Sequence, residues 1–109
     1  MTICDIAYRR EIIELSAKAL GHKVIWKYGD DSDSAIIDRD GGQWFNPIMD
    51  SGQALDLAMD LSISINFDDD GVTAIYKGGA VISHFGSRIR TYAVRLAIVE
   101  AAAEIGRAM

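Results

Sequence analysis

The 109 residues contain one cysteine and one proline. A lone Cys4 excludes a disulfide within the chain and suits a reducing compartment. No basic segment followed by an apolar one opens the sequence, so we expect no secretory signal and place the chain in the cytoplasm. Long hydrophobic runs are also missing. The best candidate, 92–105, is broken by Arg95, Glu100 and Glu104, and falls short of the roughly 18 uninterrupted residues of a membrane span. No membrane contact is expected. Basic residues are scarce exactly where acidic ones gather: 28–70 holds eleven aspartates and only Arg39, whereas 1–27 and 71–109 are net positive at +2 and +3. Phosphate backbones attract Lys and Arg, so nucleic acid is an improbable general partner for a chain of net charge −5.

What is present argues for one folded domain over 1–109. Apolar residues make up 50% and are spread along the chain, enough for one core. Aspartate dominates the middle because its short side chain bonds nearby backbone N–H groups in turns and helix caps. Every glutamate lies in the two terminal helices inferred next.

The spacing predicts a first helix from Asp5 to Leu20, with Ile6, Ile13, Ala17 and Leu20 on one face and Gly21 as its stop. Strands follow at 23–28, 34–39 and briefly 43–45. Asn46-Pro47 must be extended or turning, because proline disfavours the helical conformation in the residue before it. Asp50 or Ser51 caps a second helix to Leu61, with Ala54, Leu55, Leu57, Ala58 and Leu61 inward. In 62–68, Ile63, Ile65 and Phe67 alternate with polar residues, the mark of a half-buried strand. Asp70-Gly71 signals a hairpin into 72–77, and a further strand spans 80–85. Ser87 or Thr91 opens a last helix to Arg107. The links are short, so pairing should be antiparallel. The expectation is an α+β fold: a mainly antiparallel sheet of about five strands covered by three helices, resembling an α/β/α sandwich.

The chemistry-bearing patterns resolve into structural ones. Asn66, Asp68, Asp70 and Gly71 match the first half of a calcium loop, but position twelve is Lys77 and both flanks read as strands. His22, His84 and Cys4 are too dispersed for zinc. Ser83 and His84 are adjacent on a strand, so their side chains point to opposite faces and cannot pair as nucleophile and base. His22, beside the helix-stop glycine, suits the helix dipole. Neither Gly41-Gly42 nor Gly78-Gly79 continues as a phosphate loop. We therefore expect no catalytic residue, cofactor or metal.

Interaction surfaces remain. Arg88 and Arg90 with Tyr92 could form a small anion-binding patch at the start of the last helix. Trp44 and Phe45 form either a core plug under the second helix or a recognition patch, since aromatics dominate interface hot spots. The last helix is apolar nearly all round. It is either crowded from two sides within one chain or shared with a second copy, and we expect a homodimer through it.

Leu15-Ser16-Ala17-Lys18-Ala19-Leu20-Gly21 resembles the first helix of small bacteriophage and prophage proteins of the α/β/α-sandwich type, which include the NinX-like proteins. Trp44-Phe45-Asn46-Pro47, Asp50, Gly52 and Ala54-Leu55 are similar to that group's W-N-P-x-x-D-x-G-x-A-L segment, from which this chain departs by inserting Phe45. Residues 97–106 resemble its closing helix. The resemblance implies the sandwich fold, a phage or prophage origin and no catalytic residue. The functional expectation is a non-catalytic accessory protein that binds a macromolecule, foremost a host protein, with host-defence inhibition as a special case. The alternative is an accessory factor in phage nucleic-acid metabolism.

Overall fold

The computed structural model describes residues 3–28, 33–38, 42–86 and 89–109. The link between the strands expected at 23–28 and 34–39 falls largely outside them, as do Arg88 and the candidate cap Ser87. The elements run α1 (Ile3–Ala19), β1 (Val24–Tyr28), β2 (Asp33–Ile37), β3 (Gln43–Trp44), α2 (Ser51–Asp60), β4 (Ser64–Phe67), β5 (Gly71–Tyr76), β6 (Gly79–His84) and α3 (Arg90–Arg107). The fold is α+β, with antiparallel strand pairing.

The single sheet of about five strands is not what forms. The strands divide into two three-stranded sheets, β1-β2-β3 and β4-β5-β6. The division falls at 45–50. After Phe45 N–H bonds Ala35 O, the Asn46 carbonyl accepts from the N–H groups of both Met49 and Asp50, turning the chain away from the sheet. Asp50 then caps α2 by accepting from Gln53 N–H. The hairpins 64–76 and 71–84 form as the alternation requires, in continuous antiparallel register. Asp68 Oδ1 accepts from the N–H groups of Asp70 (2.8 Å) and Gly71 (2.7 Å), so the aspartate cluster builds the turn itself.

Two helices end in the same way. Gly21 (φ +83°) lets His22 N–H bond Ala17 O and its own N–H bond Lys18 O, closing α1 in a Schellman motif. At the end of α2, Ile63 N–H bonds Ala58 O and Ser62 N–H bonds Met59 O, but the left-handed position (φ 55°) is held by Ser62. This turn consumes 62–63, which is why β4 starts two residues later than the alternation predicts. A left-handed non-glycine residue costs about 1–2 kcal/mol, against about 0.5–1 kcal/mol for glycine's extra backbone entropy. Ser62→Gly is therefore expected to raise stability by roughly 0.5–1 kcal/mol, read as a higher urea midpoint at unchanged slope.

α3 packs against α1, α2, β5 and β6, and one core cluster draws on all three helices and both sheets. α1 and α3 run in the same direction: the Tyr8 hydroxyl donates to Glu100, Arg107 donates to Glu11 at 2.8 Å, and Lys18 Nζ reaches Met109 O. Partial burial and then the Glu100 carboxylate push the Tyr8 phenol above its ordinary ionisation range. The seam is very close. A Cβ added to Gly106 would lie 2.0 Å from Leu15 O. Ala93, Ala97, Ala101, Ala102 and Ala103 are all buried. Much of the apolar circumference of α3 is thus covered within the chain by helices and sheet, which leaves a smaller free face for the dimer expected through this helix. α3 also begins without a side-chain cap, at Ile89, with Thr91 inside the helix.

Candidate protein-interaction site

Sheet β1-β2-β3 turns one face inward. Ala35 and Ile37 are buried, and Trp26, on the same face as Ala35, reaches α1, where its Nε1–H donates to Glu14 and the Arg10 guanidinium lies 5.3 Å over its ring. Period-two alternation sends Ile25 and Lys27 to the other face. On that face Ile25 pairs with Ile36, and Ile36 pairs with Trp44. Three apolar side chains thus stand in one cross-strand row over three strands. Ile25 is 60% exposed and Trp44 46%, with exposed Lys27 alongside.

The aromatic pair splits. Phe45 is 4% exposed in the core, beside buried Pro47 and Ile48, whereas Trp44 is exposed. Gln53 fixes the split: its Nε2 donates to Trp44 O (2.8 Å) and its Oε1 accepts from Asn46 N–H (2.6 Å). The side-chain amide clamps the backbone on either side of Phe45, setting one aromatic inward and the next outward.

The structure does not gather the predicted surface into one patch. Tyr92 faces α1, where its hydroxyl accepts from Arg9 Nη2 at 3.0 Å. Arg90 lies 5.0 Å over the Phe85 ring at a separate groove, and Trp44 belongs to the row on the first sheet. His22 does more than meet a helix dipole: its Nδ1 donates to Asp38 Oδ1 at 2.9 Å, and that bond holds the Asp38 carboxyl below the usual carboxylate range. Ser83 is buried and His84 exposed, on opposite faces as the strand dictates.

Sequence reasoning missed the groove. It has a volume of about 610 Å³ and lies between α2, α3 and β4. α3 covers β5 and β6, leaving the helix-side face of β4 open. Phe67, opposite buried Val72, is consequently 66% exposed, and Leu55 on the α2 wall is 55% exposed; both were expected inward. On the α3 wall, Arg95 donates from Nε to Ile48 O (2.7 Å) and from Nη1 to Ser51 Oγ (3.0 Å), tying α2's entry to α3. A helical wheel carries the missed signal: Leu55 and Met59 form an i, i+4 pair turned well away from Leu57.

Compared with family models, curated proteins and solved structures, the chain matches none. Among the described residues no helix is long and apolar enough to cross a membrane.

Proposed function

We propose that this protein acts without catalysis, by binding another protein through the outer face of the β1-β2-β3 sheet. The in-register row Ile25–Ile36–Trp44 carries the reading. An indole held on a short strand, flanked by β-branched side chains and a lysine, has the composition of an interface centre with a polar rim. Lys27 favours a partner with a carboxylate beside its apolar contact. The resemblance to phage and prophage accessory proteins supports a host protein in the host cytoplasm as that partner, and a component of host defence falls within this class. The nucleic-acid alternative rests on the Arg88/Arg90 patch, of which Arg88 lies outside the described residues and Arg90 lies 5.0 Å over the Phe85 ring.

The test is affinity capture from host lysate with the wild-type chain and with Trp44→Ala and Ile25→Ser variants. Removing a hot-spot aromatic costs at least about 2 kcal/mol, roughly thirtyfold in affinity. The captured partner should be lost from both variants while their far-UV circular dichroism is unchanged. Retention of the same partner by both would reject this surface.

A further inference from the structure

We propose that the groove between α2, α3 and β4 receives α2 of a second copy of this chain, forming a two-fold dimer. The inference is independent of the sheet face proposed above. Its starting point is the outer surface of α2. Leu55 and Met59, one turn apart, are 55% and 68% exposed, and Asp56 and Asp60 form an equally spaced pair on the adjoining stripe, both exposed. An exposed apolar stripe of this kind, next to an apolar groove floored by exposed Phe67, exceeds the scattered apolar residues of an ordinary surface.

Charge selects the occupant. The helix that would enter is acidic, with Asp56 and Asp60 and no basic residue in Ser51–Asp60. The groove it would enter carries Arg90, whose guanidinium lies 5.0 Å over the Phe85 ring and with which no carboxylate among the described residues pairs. Asp68 stands on the β4 rim, where its carboxylate is taken up by two N–H groups of its own turn. The second cation, Arg95, is already bonded to Ile48 O and Ser51 Oγ.

Geometry selects the symmetry. Leu55 belongs both to the exposed stripe and to the wall of its own groove. A two-fold axis beside Leu55 therefore brings the stripe of each copy over the groove of the other, and each Arg90 to the partner's acidic pair. Such an isologous contact closes at two copies. Its inserted element is α2, and from α3 it uses only the wall of the groove, where Val94 and Ile98 lie.

Sedimentation tests this with charge reversal, because Leu55, Asp56, Asp60 and Arg90 are exposed and their replacement leaves the core intact. The wild-type chain should sediment at twice 11.9 kDa at concentrations of about 100 µM and dissociate on dilution. Leu55→Asp should sediment as one chain. Arg90→Glu alone sets like charges against Asp56 and Asp60, and Asp56→Arg with Asp60→Arg sets like charges against Arg90, so each should weaken association at least tenfold. Mixed in equal amounts, these two proteins present complementary charge at both contacts and should restore the double mass. Trp44→Ala should leave the dimer unaffected, which separates failure here from failure of the sheet-face reading. A wild-type chain of single mass up to about 100 µM would overturn the proposal. So would a dimer indifferent to Leu55→Asp, or a mixture that stays dissociated.

Discussion

Replacing Gly106 with alanine is expected to be among the most damaging single-methyl additions available in this protein. The helix-propensity argument points the other way, since alanine in a helix is favoured over glycine by about 1 kcal/mol. The seam decides the sign. The new Cβ would sit 2.0 Å from Leu15 O and 2.9 Å from Leu15 C. Both are backbone atoms of α1, so no rotamer change relieves the clash and one helix must move. Moving α3 also opens its contacts with α2 and the β4-β5-β6 sheet, because the same helix touches all of them. Overpacking in a closed core costs about 1–3 kcal/mol and occasionally more. With a rigid neighbour and four elements sharing the strain, a net loss of about 3 kcal/mol is expected, on the order of 10 °C or more in Tm. Against a total of about 5–15 kcal/mol that is a large share. Urea unfolding of the two proteins measures it directly. A variant as stable as wild type would mean that α1 and α3 do not approach at Gly106.

That seam also marks where local reading stops. Asp70-Gly71, the alternation in 62–67 and the Asp50 cap are visible in sequence because each pairs residues a few positions apart. The apolar circumference of α3 is equally visible, but what covers it depends on contacts across the whole chain, such as Leu15 with Gly106. A second copy and a parallel α1 place the same demand on the alanines. The split into two sheets is non-local too. β3 shows strand character, and only the bonds of Asn46 O to Met49 and Asp50 reveal that the chain leaves the sheet there. Period-two patterning in 62–68 correctly puts Phe67 on the helix side of its sheet. It cannot show that α3 stops short of β4, so the step from that face to burial fails for Phe67 and produces the groove. Of the candidate surface, Trp44 was legible as an unusual aromatic. Its neighbours in the row were not, because the Ile25–Ile36–Trp44 register is assembled from three strands.

Phe45→Ala and Trp44→Ala, one residue apart, are expected to have opposite effects. Phe45 is 4% exposed and belongs to the cluster that includes Ile37, Ile48 and Leu57. Its truncation removes the transfer energy of the ring and leaves a cavity that the surrounding backbone resists filling. The Gln53 amide holds the chain on both sides at Trp44 O and Asn46 N, and Phe45 N–H is bonded to Ala35 O. The site therefore cannot collapse freely, and a loss of about 3–5 kcal/mol is expected. Trp44 lies at the other extreme. Nearly half exposed, its backbone carbonyl bonded to Gln53, it gives up cross-strand contact with Ile36, worth roughly 0.2–1 kcal/mol. Its replacement should lower the free energy of unfolding by no more than about 1 kcal/mol while removing the captured partner. The two free energies of unfolding, measured side by side, separate the inward aromatic from the outward one. Comparable losses at both positions would place Trp44 in the core and withdraw the sheet face as a binding surface.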